Sequence, residues 1–163
     1  MQRAYIGIGS NLGDKFQHCR AAVEKMENLT GSRVEALSEW YLTKPVGVQG
    51  QDWYVNGVAA LSTILTPQAL LDELLAIEAD MGRVRKSKWE ARIIDLDILL
   101  YGREVIDEDH LKIPHPLMHL RRFVLAPLAQ LDPGMVHPVM GVSMVELLEK
   151  IPQESQAVYP AME

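Results

Sequence analysis

Residues 94–101 read IDLDILLY. Aliphatic residues alternate with Asp95 and Asp97, and alternation at period 2 marks a strand with one face in a core. It sends Ile94, Leu96, Ile98 and Leu100 inward and leaves Asp95 and Asp97 on the opposite face, about 6.6 Å apart along the strand. Upstream, Thr66-Pro67 supplies an N-cap and a first-turn proline. Leu70, Leu71, Leu74, Leu75, Ile77 and Met81 then predict the buried face of a helix running to Gly82. Two strands are predicted before it, Arg33–Tyr41 and Trp53–Thr63, joined by TKPVGVQGQD. That connection is longer than the two to five residues of an ordinary hairpin, which favours a functional loop.

Further upstream, Asp14 is placed to cap a helix whose apolar stripe is Phe16, Cys19, Val23 and Met26, with Leu29 beyond, ending near Gly31. Arg3–Gly9 reads as the first strand. The order is β-α-β-β-α-β, the split βαβ arrangement of ferredoxin-like α+β folds. Downstream additions are an extended Val105-Ile106, a Pro-flanked segment at 113–116, a helix over Arg122–Leu131 and a helix over Ser143–Ile151. One domain over 1–163 is expected, with a loose tail after about residue 152, where two prolines interrupt a stretch without periodicity.

At 163 residues, 48% hydrophobic and 23% charged, the chain has the apolar content for one core. Its net charge of −6 argues against a nonspecific grip on nucleic acid or an anionic membrane. The single cysteine, Cys19, excludes a disulfide framework and lies on an apolar stripe, so a buried structural thiol is expected. No secretory leader or membrane span is predicted. A cytoplasmic monomer acting on small molecules is the expectation.

The chemistry concentrates around Asp95 and Asp97. Two carboxylates on one strand face repel each other unless cations occupy the gap. Their hard oxygens favour Mg²⁺, and such a pair suits two ions in an in-line displacement at phosphorus. Residues 83–92 (RVRKSKWEAR) carry five basic groups and one acid, a net +4 that leaves −10 on the rest. A basic loop leading into paired aspartates is what a metal-bound polyphosphate requires. A second basic stretch, His110 to Arg122, contains Lys112, Arg121, Arg122 and three histidines without an acid. His115 and His119 lie four apart but form no HExxH zinc pattern, so hydrogen bonding to phosphate or ribose is the better reading.

Gly7, Gly9 and Gly13 miss the dinucleotide fingerprint by one residue, and no P-loop motif is present. Tyr54 and Phe123 are candidates to sandwich a flat heterocycle. Glu78 falls inside an apolar helix face, as a paired carboxylate or a site residue.

Four blocks, YIGIGSNLGD at 5–14, YLTKPVG with WYVNGV at 41–58, IEADMGRVRKSKWEARIIDLDILLYG at 77–102 and IPHPLMHLRRFVLAPLAQLDP at 113–133, resemble the 6-hydroxymethyl-7,8-dihydropterin pyrophosphokinase family. The resemblance implies a ferredoxin-like α+β fold and transfer of the β,γ-diphosphate of ATP to the pterin hydroxymethyl oxygen, with release of AMP. It implies that Asp95 and Asp97 hold two Mg²⁺ ions and that Arg83 and Arg92 meet the transferred phosphates. Arg85 and Trp89 would close over nucleotide and substrate. Thr43, Val46, Tyr54, Asn56, Trp89 and Phe123 match the pterin pocket; Glu78, Ile98, His110, Lys112, His115 and Arg121 match the ATP side. Glu90 stands where the family signature usually has Gly. Two rival readings share the element order: a two-metal nucleotidyltransferase, which releases pyrophosphate, and an RNA-binding module. The latter requires two or three stacking aromatics on a basic strand, a pattern that Trp53–Leu61 lacks.

Overall fold

The computed structural model describes residues 1–44, 53–82 and 93–161. Its strands are β1 Gln2–Ser10, β2 Ser32–Leu37, β3 Tyr41–Thr43, β4 Tyr54–Thr63, β5 Asp95–Tyr101, β6 Ile106–Asp107, β7 Lys112–Ile113 and β8 Val158–Pro160. The helices are α1 Lys15–Glu27, α2 Pro67–Asp80, α3 Arg122–Leu131 and α4 Met144–Glu149, with a 3-10 turn at Met118–Leu120. Local chemistry starts three of the helices. Asp14 Oδ1 accepts the Gln17 N–H at 3.2 Å, Thr66 Oγ1 that of Ala69 at 3.1 Å, and Ser143 Oγ that of Glu146 at 3.3 Å. Each such cap contributes about 1 kcal/mol.

Six of these strands form an antiparallel sheet in the order β5-β1-β4-β3-β8, with β2 also paired to β4, and β6 pairs with β7 apart from it. The first four sequence segments therefore lie in ferredoxin-like order, with β1 and β4 central. One face packs Ala4, Ile6, Ile8, Leu96 and Ile98 against Cys19 and Met26 of α1 and Leu70, Leu74 and Ile77 of α2. Burial pushes the Cys19 thiol up to about 12, which makes it the inert packing group expected. The other face packs Tyr5, Val58, Ala60, Leu99 and Leu100 against α3 and α4 through Val124, Leu125, Leu128, Met144 and Leu147. No described helix is long and apolar enough to cross a membrane.

Four expectations are corrected. The strand predicted over Arg33–Tyr41 is broken at residues 38–40. Gly57 opposite has no Cβ, and Trp40 fills that space; a Cβ there would lie 2.6 Å from the Trp40 ring. Ser38 holds the break by accepting the Val58 N–H at 2.9 Å. Leu100 belongs to the α3 face rather than to the face of Ile98. The register steps from Ile6↔Ile98 to Tyr5↔Leu100, so Leu99 is an extra residue that reverses side-chain parity. Leu75, predicted on the buried face of α2, is exposed. The tail after residue 152 is not loose throughout: β8 pairs with β3 in the register Tyr41↔Pro160 and Thr43↔Val158. Its pairing uses main-chain groups, which leave no periodic trace in side-chain character.

Candidate active site

The ends of β1, β4 and β5 lie side by side in the sheet. There β5 carries Asp95, half-buried, and Asp97, exposed. Opposite them on β1, Gly9 pairs with Asp95 and Gly7 with Asp97. Gly9 also pairs with Asn56 on β4. The row Asp95–Gly9–Asn56 thus crosses three strands, and at the usual strand spacing its ends are about 10 Å apart. Two glycines at i and i+2 leave this floor without side chains. A Cβ at Gly9 would lie 2.6 Å from Asn56 Oδ1 and 3.7 Å from Tyr54 Cδ1.

Strand β4 supplies the second wall. Tyr54 and Asn56 share its site face by strand alternation, and Asn56 is buried. Asn56 Nδ2 donates to Thr43 Oγ1 at 2.5 Å, which fixes the amide and aims Oδ1 over Gly9. Thr43, itself buried, is held on β3 opposite Tyr54. A planar amide in a fixed orientation can read a complementary hydrogen-bonding edge.

Glu78 resolves differently from a surface acid. It is 3% exposed, and its Oε2 accepts the Leu96 N–H at 2.7 Å. Leu96 lies between Asp95 and Asp97, so this carboxylate holds the backbone that separates them. The charge-assisted bond is of the stronger kind. Ile98 places its side chain with Leu96 in the α1/α2 core, on the face away from the aspartates. Only its main chain is available on the site side.

Beyond the outer edge of β5, the His115 N–H donates to the Leu99 carbonyl at 3.0 Å. His115 Nδ1 accepts the Leu117 N–H at 3.2 Å. Burial, reinforced by the nearby Arg121 cation, pushes the imidazole down to about 4. The ring is therefore neutral at pH 7, with Nε2 as its N–H donor. The Arg121 guanidinium lies 5.5 Å from the Phe123 ring centroid, a cation–π pair at the start of α3. The structure thus gathers His115, Arg121 and Phe123 on the α3 side and Thr43, Tyr54 and Asn56 on the β4 side. His110 and Lys112 are exposed; Lys112 Nζ pairs with Asp107 at 2.5 Å across the β6–β7 hairpin. Val46, Arg83, Arg85, Trp89 and Arg92 lie outside the described residues.

Gly7 and Gly9 are the site residues that motif matching passed over. A pair of glycines at strand spacing, facing two acids, was the signal available for them.

A model of the family described as 7,8-dihydro-6-hydroxymethylpterin-pyrophosphokinase (HPPK) matches residues 5–133. The chain belongs to this pyrophosphokinase family. It is 46% identical over 154 residues to the 2-amino-4-hydroxy-6-hydroxymethyldihydropteridine pyrophosphokinase of Pseudomonas aeruginosa, covering 94% of each chain. Its identity to the enzyme of the same name from Methylorubrum extorquens is 43% over 151 residues, 93% of this chain and 94% of that one. Among solved structures, Plasmodium falciparum HPPK-DHPS wild type with pteroate superposes with a TM-score of 0.74 at 14% identity. That match takes in 91% of this chain and 42% of the longer one, and it bears on the fold alone. The family's span ends two residues after α3, so α4 and β8 lie beyond it.

Proposed function

We propose that the chain transfers the β,γ-diphosphate of ATP to the hydroxymethyl oxygen of 6-hydroxymethyl-7,8-dihydropterin, a reaction of folate biosynthesis. The observation that carries this reading is the row Asp95–Gly9–Asn56, which sets acids and a fixed amide on opposite sides of a floor without side chains. The substrate oxygen bonds to the β-phosphorus, the bridge from that phosphorus to the α-phosphate breaks, AMP leaves with the bridging oxygen, and the hydroxyl proton goes to water.

Asp95 and Asp97 fit Mg²⁺. They are hard oxygen donors on one strand face, and no third histidine, cysteine or acid joins them in a cluster among the described residues. Magnesium typically takes only one or two protein carboxylates and fills its remaining positions with phosphate oxygens and water. Two bound ions would neutralise charge on the polyphosphate.

Asn56 and Thr43 orient the bicyclic substrate, and Tyr54 and Phe123 flank its faces. Neutral His115 donates from Nε2 to a phosphate oxygen, and Arg121 adds a fixed cation. Glu78 acts through the Leu96 amide. On the family resemblance, Arg83 and Arg92 meet the transferred phosphates, Arg85 and Trp89 cover the nucleotide, and Val46 completes the pterin pocket. Ile98, through its main chain, His110 and Lys112 belong to the ATP side.

Phosphorus NMR of the products from ATP, Mg²⁺ and the dihydropterin tests the reading. AMP and a pterin diphosphate are expected. ADP overturns diphosphoryl transfer, and release of pyrophosphate identifies a nucleotidyltransferase instead. Because Asp97 is exposed, Asp97→Ala should keep the fold while turnover falls by roughly 10³-fold or more, on the scale of a lost electrostatic contact in phosphoryl transfer.

A further inference from the structure

Residues 151–161 lie beyond the residues that the family model matches, yet they touch both walls of the site. On the α3 side, Arg121 at the N-cap makes no side-chain capping bond. Gln156 does that work from a distance in sequence. Its Oε1 accepts the Arg122 N–H at 3.0 Å, and its Nε2 donates to the Leu120 carbonyl at 2.9 Å. Arg122 Nη1 in turn donates to the Ile151 carbonyl at 2.8 Å. Phe123 is the next residue along this braced turn.

On the β4 side, β3 is only three residues long and has β8 as its second neighbour. Val158 pairs with Thr43, the residue that fixes the Asn56 amide, and the Ala161 N–H donates to the Trp40 carbonyl at 2.8 Å. The Tyr159 ring stacks on Trp53, with centroids 6.1 Å apart and planes at 27°. Trp53 immediately precedes Tyr54. Gln153 Nε2 closes the segment on itself by donating to the Val158 carbonyl at 3.1 Å.

We infer that Gln156 and Tyr159 are positioning residues that set the separation between the Phe123 wall and the Tyr54–Asn56 wall, and through it the affinity for the flat substrate. This rests on the pterin site proposed above. The strap ties the two walls to each other; its Gln156 end also brackets Arg121 on the polyphosphate side, whereas the stack of Tyr159 on Trp53 bears on the Tyr54 wall, so the Tyr159 end acts on the heterocycle rather than on the polyphosphate. Tyr159 and Trp53 are 49% and 37% exposed, so removing the Tyr159 ring leaves no cavity in either core.

The test measures two affinities on full-length variants. One is for 6-hydroxymethylpterin, by fluorescence in the presence of Mg²⁺ and a non-hydrolysable ATP analogue; the other is for the analogue with Mg²⁺, by calorimetry. Gln156→Ala and Tyr159→Ala should each weaken pterin binding about three- to tenfold, the scale of one cap or one aromatic pair, and Tyr159→Ala should leave analogue binding unchanged. Tyr159→Phe keeps the stack and should bind pterin like the parent. Asn56→Ala separates the two levels of the reading: unchanged pterin affinity in that variant overturns the pterin site itself. If Asn56→Ala weakens pterin binding while Gln156→Ala and Tyr159→Ala leave it intact, or if Tyr159→Ala weakens both ligands alike, the strap role is overturned and the pterin site stands.

Discussion

Gly9→Ala isolates the site floor from the rest of the fold. The added Cβ would sit 2.6 Å from Asn56 Oδ1, 0.4 Å inside the 3.0 Å limit that real Cβ contacts observe. Asn56 must move, and it is not free to do so cheaply. It is buried, and its Nδ2 is bonded to a buried Thr43 hydroxyl. Overpacking of this kind costs about 1–3 kcal/mol, and separating the amide from Thr43 leaves buried polar groups short of partners at a cost in the same range. Stability should therefore fall by about 2–6 kcal/mol in urea unfolding. Displacement of the amide that reads the substrate edge should lower kcat/KM for the pterin by about 10- to 100-fold, equivalent to about 1.4–2.8 kcal/mol. KM for ATP should stay within about twofold of the parent, since a defect confined to one wall carries no free energy to the other ligand. Gly7→Ala is the control for backbone effects. Its Cβ meets only the Leu99 side chain, at 3.4 Å, so its stability change should be under about 1 kcal/mol. A Gly9→Ala protein with parental stability and parental pterin kinetics, or one with equal losses for both substrates, refutes the reasoning.

Glu78→Leu removes the acceptor of the buried Leu96 N–H and should cost about 1–3 kcal/mol of stability. It should also raise the Mg²⁺ concentration for half-maximal AMP formation, while Glu78→Gln, which keeps an acceptor oxygen, should recover most of the metal response; a Mg²⁺ titration of all three proteins decides. For His115 the folded value of about 4 lies below the ordinary 6.5, so the unfolded chain binds more protons between these limits. The stabilisation is complete above about pH 6.5 and is lost as pH falls toward 4. His115→Asn keeps an acceptor for Leu117 without titrating, so the stability difference between parent and variant, from urea unfolding at pH 8, 6.5 and 5, should shrink only below 6.5. A difference independent of pH would remove the buried neutral imidazole from the account.

Much of the architecture was legible because it is written locally. Asp14 and Thr66 cap the helices they were expected to cap, Ser143 caps a third, and α3 occupies residues 122–131 as expected. The aspartate pair was legible for the same reason, since period 2 alone puts both on one face. Features that depend on distant residues were not. The break at residues 38–40 is dictated by a missing Cβ at Gly57, and the buried Glu78 meets a main-chain amide eighteen positions away. Strand β8 is held by main-chain pairing and by Tyr159 on Trp53, neither of which produces a hydrophobic rhythm. Gly7 and Gly9 entered first as a failed phosphate fingerprint. Their contribution is space, which becomes visible only when β4 and β5 are set on either side.

The extra residue at Leu99 gives β5 one position to spare at its C-terminal end. Loss of a single codon between Ile98 and Tyr101 would scarcely change the oiliness of the segment. Because Leu99 is the surplus position, its loss would also leave the ladder intact: Ile98 would sit beside Leu100 opposite Ile6 and Tyr5, and both acids would keep their face. Along this stretch, swapping one aliphatic side chain for another is a mild change and so is losing the surplus one, whereas a codon lost between Asp95 and Asp97 would put Asp95 on the face of Ile98.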